Sequence, residues 1–399
     1  MTTWAPVQLV NDFTVNTTLF PQAQRDTDAP DLGYHATPLD YVWTGLNLTN
    51  ATLILTNGVA VAVIGAKGTT LKNGARFYSE GTPMNLNRLV RYSAVQEQPI
   101  LLGATASSLI DVSGSPSPLP EVRLRFTDVS LLADSSTRRY LLANNGGVLS
   151  TLALTDCQLR GVYLNLFANY AGPMTVALTN NLIQRGNLTW YQENISGYYA
   201  FTLNLYNNLF RQGSVSFTYK HNGTTWTVKD NLFDPDTLSN SSTYSLAAGY
   251  NGYRNGLTSL GGSGNKTGLT MDYQSGPAAN WFGVLGGFYY PTTGTNLATL
   301  IDAGSRSREA AALSHYSVKT ATGTKEGLDA SATVDIGYHW VGVNANNEPS
   351  DVDGDGPGLA DYLEDRNGNG LVDPGETDWQ TPNNGTSGAA GLQVFTPLK

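Results

Sequence analysis

A short alternation of apolar and polar residues that closes on Asp or Asn returns five times along the middle of this chain, at intervals of 23 to 28 residues. The five stretches are Leu124-Arg125-Phe126-Thr127-Asp128, Leu152-Ala153-Leu154-Thr155-Asp156, Val176-Ala177-Leu178-Thr179-Asn180, Leu203-Asn204-Leu205-Tyr206-Asn207 and Trp226-Thr227-Val228-Lys229-Asp230. The positions four and two before the closing residue are apolar each time, and the position between them varies. That is a strand with one face buried. The last three stretches continue as Asn181-Leu182-Ile183, Asn208-Leu209-Phe210 and Asn231-Leu232-Phe233. An Asn recurring at one corner of successive turns can bond amide to amide along the stacking axis, as in ladders of parallel strands. Leu46-Asn47-Leu48-Thr49-Asn50 fits the same template earlier in the chain.

A β-repeat of this length is too short for a propeller blade and lacks a leucine-rich consensus. It fits a solenoid in which each repeat is one coil. At about 4.8 Å per coil, residues 40 to 300 give roughly ten coils and a rod near 50 Å long. A β-sandwich also yields short alternating strands, but it does not bring the same corner back in register five times.

The corners Thr179-Asn180-Asn181-Leu182-Ile183 and Tyr206-Asn207-Asn208-Leu209-Phe210 resemble those of right-handed parallel β-helix proteins of the pectate-lyase-like superfamily. Leu300-Ile301-Asp302-Ala303-Gly304, followed by Asp335-Ile336-Gly337-Tyr338-His339, is similar to the terminal signature of bacterial extracellular β-helix proteins, and Asp31-Leu32-Gly33-Tyr34-His35 is a second copy. The resemblance implies an all-β chain. Its expected parts are residues 1–40 as an extended tail or the end of a preceding repeat unit, 41–345 as the β-helix, 346–379 as paired calcium loops and 380–399 as a tail. These motifs specify architecture, and architecture alone does not fix an activity.

The charge is unevenly placed. Of the 32 acidic residues, nine lie between Asp351 and Asp378 beside one cation, Arg366; the remainder carries 23 acidic against 22 basic residues. A nearly neutral body without a basic stripe argues against nucleic acid as a partner. No stretch of about 18 apolar residues is present, so no membrane-spanning helix is expected. The single cysteine excludes an internal disulfide. The opening Met1-Thr2-Thr3-Trp4-Ala5-Pro6 is not a secretion signal. With the surface-protein resemblance, an extracellular or cell-surface setting as part of a longer protein is expected.

Within the acidic stretch, Asp365, Asn367, Asn369, Leu371, Asp373 and Glu376 fall at positions 1, 3, 5, 7, 9 and 12 of a calcium loop, with Gly370 at position 6. A hard cation wants six to eight oxygens. Alternate residues supply them from side chains, Leu371 from its carbonyl, and Glu376 closes the far side with two. Asp351, Asp353 and Asp355 begin a second such loop, whose later carboxylates, Asp361 and Glu364, come two residues late after Pro357-Gly358. The pair resembles thrombospondin type-3-like and dockerin-like repeats, which implies Ca2+ as the cofactor. Leu359 to Asp365 reads as a short helix between the loops. A solvated acidic linker is the bland alternative, but it would scatter its carboxylates instead of alternating them.

Candidates for chemistry are sparser. Arg160, Gln184, Arg211 and Asp234 share one column beyond the ladder, with Lys220 and His221 on a nearby turn. In pectate-lyase-like enzymes a Lys or Arg abstracts a sugar proton with calcium nearby, which would make Arg211 or Lys220 the base. The column carries no carboxylate cluster, however, and Asp128, Asp156 and Asp230 are read as structural corners. His35, His315 and His339 are expected to be packing residues, the first and last at solenoid ends, and Cys157 a buried substitute for a ladder Asn. Trp190, Tyr191, Tyr198, Tyr199, Tyr250, Tyr253, Trp281, Phe282, Tyr289 and Tyr290 form either a sugar-stacking platform or a cover for the core, and the cover is the simpler reading. The expected role is a non-catalytic structural or adhesive module, with polysaccharide or another surface protein as partner; the alternative is a polysaccharide lyase or glycosidase on the same scaffold.

Overall fold

The computed structural model describes residues 5–23, 38–92, 106–113, 116–131, 138–145, 149–167, 173–192, 201–220, 222–242, 244–277, 285–313, 316–321, 333–343, 349 and 359–379. Among them the regular secondary structure is nearly all strand. A nine-stranded and a seventeen-stranded sheet are built from parallel pairings alone, and Ser317–Val318 pairs antiparallel with Trp340–Val341. Successive strands of the smaller sheet are separated in sequence by strands of the larger one, as a solenoid-like stack requires.

The register shows why the repeat exists. Glu121–Arg125, Thr151–Thr155, Met174–Thr179, Phe201–Tyr206 and Trp226–Lys229 are neighbours in the smaller sheet, and Leu124, Leu154, Leu178, Leu205 and Val228 stand directly over one another. A second inward file runs Leu53, Phe77, Val122, Leu152, Val176, Leu203 and Trp226. All are essentially inaccessible to solvent. The larger sheet answers with Phe210, Phe233 and Tyr253, whose rings stack at 5.1 and 5.3 Å, close to the strand spacing. Each coil therefore buries its apolar face only because the next coil lies on it.

At the turn between sheets, Asp156, Asn180, Asn207 and Asp230 adopt left-handed backbone, φ 53 to 59°. Asn and Asp tolerate that conformation better than other side chains. The next residue turns inward to form the ladder. Each Asn oxygen accepts the backbone N–H of the preceding coil, linking Cys157, Asn181, Asn208, Asn231, Asn251 and Asn265 at 2.9 to 3.0 Å. Each amide nitrogen from Asn181 to Asn251 donates to a strand carbonyl one coil back: Leu154, Leu178, Leu205 and Val228. Asn87, two coils before Cys157, occupies the same column and donates to the Leu55 carbonyl at 2.8 Å.

Two sequence expectations are corrected. The first of the five stretches is displaced by two residues: Arg125 lies opposite Thr155, so Phe126 takes the corner and Asp128 lies further on, opposite Gln158. A slip of two leaves every side chain on its own face, so alternation is blind to it. Leu46–Leu48 belongs to the larger sheet, and the matching strand of the smaller one is Thr52–Thr56. Val7–Gln8 and Thr17–Leu19 already pair with Tyr41–Trp43 and Thr52–Thr56, so strands begin well before residue 41. Among the described residues the last stacked strand is Lys266–Leu269.

The described residues between 285 and 343 lie along the corner as a cover. Leu182, Leu209 and Leu232, which follow the ladder Asn residues, point out of the solenoid into a second core with Tyr290, Leu300 and Ile336. The corner side chains stitch this cover down. Asn180 accepts the His339 N–H at 2.6 Å and donates to the His339 carbonyl at 3.0 Å; Asn207 donates to the Asp335 carbonyl at 2.8 Å. Asp230 accepts from the Ser305 N–H and hydroxyl and from Arg306. His339 thus packs on the flank rather than at an end.

Candidate metal centre

After the four-residue helix Asp361–Glu364, the backbone reverses through Gly368 and Gly370, at φ 69 and 76°. A side chain at Gly370 would also meet Ala312 at 2.5 Å, so the residue serves both the turn and its close seat on the cover. The Asp365 carboxylate accepts the N–H groups of Asn369 at 3.0 Å and Gly370 at 2.8 Å. Glu376 reaches back to the N–H groups of Asn367 at 3.1 Å and Asp373 at 3.0 Å, and the amides of Asn367 and Asn369 both meet one Asp373 oxygen at 2.7 Å. Asp365, Asn367, Asn369, Asp373 and Glu376 are therefore drawn into one ring, with Leu371 on its exposed rim.

The donor set is oxygen throughout and suits a hard cation better than zinc. Among the described residues no three His, Cys, Asp or Glu side chains converge, so the carboxylates of Asp365, Asp373 and Glu376 do not by themselves form a metal cluster. Asp361 and Glu364 are buried on the short helix. Asp351, Asp353 and Asp355 lie outside the described residues.

The ring is anchored to the solenoid by a residue that sequence reasoning passed over. Arg125, on the strand Glu121–Arg125, donates through Nη1 to the carbonyls of Tyr362, at 3.2 Å, and Asp365. Its Nε donates to Asp156 at 3.1 Å. Burial works against the guanidinium charge, but Asp156, Tyr316 and Asp365 outweigh it and hold its pKa above the ordinary value. The Phe126 and Tyr362 rings meet edge to face at 5.5 Å. The available signal was a charged residue at an outward position where the next two coils carry Thr.

The other candidates are tied into the frame. Arg160, Gln184, Arg211 and Asp234 do form one column in register. Arg160 pairs with Asp128, while Asp234 sits 3.0 Å from Arg254 and 3.8 Å from Arg211 and accepts the Tyr273 hydroxyl at 3.3 Å. Burial pushes Asp234 above the usual carboxylate range against the pull of both arginines. Lys220 is buried, which lowers its pKa, and its ammonium lies 6.0 Å from the centre of the Tyr244 ring. His35, His221, His315, Tyr198, Tyr199, Trp281 and Phe282 lie outside the described residues. Trp190, Tyr253, Tyr289 and Tyr290 are buried in the two cores, so they offer no sugar platform. Burial also pushes the Cys157 thiol up to about 12, which leaves it inert as a nucleophile.

Comparison with protein-family models, with curated proteins and with solved structures finds no match.

Proposed function

We propose that this chain is a right-handed parallel β-helix module of a secreted or cell-surface protein. Its role is structural or adhesive, its stability depends on Ca2+, and its partner is a polysaccharide or another surface protein. The handedness follows from the strong preference of parallel crossovers for the right-handed sense. Asp365, Asn367, Asn369, Leu371, Asp373 and Glu376 would hold one ion; Asp351, Asp353, Asp355, Asp361 and Glu364 would serve a second. The single observation supporting the calcium reading is the ring around Asp365, whose carboxylate is fixed by two backbone N–H groups while Glu376 closes the opposite side. A bound ion would offset the repulsion among the nine carboxylates between Asp351 and Asp378.

Calcium titration by calorimetry, with hydrogen exchange in calcium and in chelator, tests this. Saturation at about 100 times Kd should add about 2.7 kcal/mol to stability. Chelator should strip amide protection from residues 361–379, and Glu376→Gln should abolish the calcium response. Protection unchanged by chelator would overturn the proposal.

A polysaccharide lyase or glycosidase is the second reading, favoured by the raised pKa of Asp234 beside the Tyr273 hydroxyl and two arginines. Release of unsaturated or reducing sugar ends from a polysaccharide panel, lost in Asp234→Asn, would support it over the module.

A further inference from the structure

We infer that Arg125 is the positioning residue that couples calcium binding in the C-terminal loop to the seating of the cover on the solenoid; this rests on the calcium reading of the loop. The two carbonyls it binds, from Tyr362 and Asp365, belong to the end of the helix Asp361–Glu364, where carbonyls have no partner within the helix. Asp365 is also the first ligand position of the loop. One guanidinium thus fixes the backbone from which that carboxylate projects.

Arg125 is itself fixed. Asp156 accepts its Nε and also takes the Tyr316 hydroxyl at 3.0 Å and the Asn180 amide at 2.7 Å. Asn180 binds the His339 backbone in both directions. An unbroken hydrogen-bonded path therefore runs from the loop, through the solenoid wall, into the cover at Tyr316 and His339. Asp156 balances the charge of Arg125, so ordering of the loop outweighs repulsion between guanidinium and ion. If the loop must be ordered on Arg125 to bind calcium, then calcium must in turn tighten the path to His339, since coupling between two equilibria is reciprocal.

The test compares wild type, Arg125→Met and Arg125→Lys by calorimetric Ca2+ titration and by exchange of the Tyr316 and His339 amides with and without Ca2+. Loss of a residue that orients a metal ligand typically costs 10- to 100-fold in affinity. Arg125→Met should fall in that range and should lose the calcium-dependent rise in protection at His339 even when saturated with the ion. Lys keeps the charge opposite Asp156 but has one nitrogen where Arg125 uses two, Nε for Asp156 and Nη1 for both carbonyls, so Arg125→Lys should show an intermediate loss and carries the test if the Met variant does not fold. Wild-type affinity in the folded variants, with His339 protection still responding to Ca2+, would overturn the coupling and leave the calcium site standing. A wild-type chain that binds no Ca2+ would overturn both.

Discussion

Asn208→Ala should lower the free energy of unfolding by about 3–5 kcal/mol, among the largest losses available to a single substitution in this chain. Asn208 is fully buried and works in three directions. Its oxygen accepts the Asn181 N–H at 3.0 Å, its nitrogen donates to the Leu178 carbonyl at 2.8 Å, and the same nitrogen meets the Asn231 oxygen at 2.9 Å. Truncation leaves the Asn181 N–H buried without its acceptor, at about 1–3 kcal/mol, and removes the amide donor to the Leu178 carbonyl and the Asn231 oxygen, each further lost bond costing about 0.5–1.5 kcal/mol. Asn208→Asp should be no better, because a carboxylate cannot donate to either oxygen. The control is Thr175→Ala, on the exposed face of the smaller sheet, which should stay within about 0.5 kcal/mol of wild type. Denaturant unfolding followed by tryptophan fluorescence measures both. A loss below about 1 kcal/mol for Asn208→Ala would mean that the ladder is an ornament of the coil rather than its fastening.

That ladder was legible beforehand because it repeats. Asn181, Asn208 and Asn231 occupy equivalent positions in adjacent coils, and a feature imposed once per coil leaves a periodic trace. The file through Leu154, Leu178 and Leu205 and the column through Arg160, Gln184, Arg211 and Asp234 were readable for the same reason. The loop around Asp365 could be singled out because its oxygen-bearing side chains alternate at a local spacing, and they do converge by hydrogen bonds; calcium ligation by them is part of the proposal. What escaped was everything that repetition does not constrain. Asn87 belongs to the ladder, yet the strand spacing before Phe126 is irregular enough to hide it. Alternation could not reveal that Phe126, not Asp128, takes the corner. Nor could it show the role of the outward corner residues. Asp156, Asn180, Asn207 and Asp230 looked like turn formers, and they also hold the cover through partners up to 160 residues away in sequence. Such contacts arise once each, so no pattern announces them.

The same corner supplies the second large effect. Arg306→Met should cost about 3–5 kcal/mol at pH 7, because it strands a buried carboxylate. The Asp230 side chain is inaccessible and holds Arg306 at 3.2 Å, while the guanidinium also donates to Asn207 at 2.7 Å and lies 4.1 Å from the centre of the Tyr206 ring. Burial already pushes the Asp230 pKa above its usual value, and Arg306, with the two Ser305 donors, pulls it back. Without the arginine the folded-state pKa must climb further. A carboxyl group whose pKa is raised by folding favours the folded state when protonated. That contribution is complete below the unfolded value near 3.8 and is lost as pH rises through the folded value. The penalty in Arg306→Met should therefore be full at neutral pH and shrink steadily as pH falls into the carboxylate range, opposite to ordinary acid denaturation. Asp230→Asn in the Arg306→Met background should recover part of the loss at pH 7 and abolish this pH dependence, since an amide keeps an acceptor for Ser305 and has no charge to bury. Unfolding free energies of wild type, both single variants and the double variant between pH 4 and 8 complete the cycle. A penalty in Arg306→Met that does not change with pH would place the loss in the Tyr206 and Asn207 contacts, and the buried ion pair would not be what holds the cover at that corner.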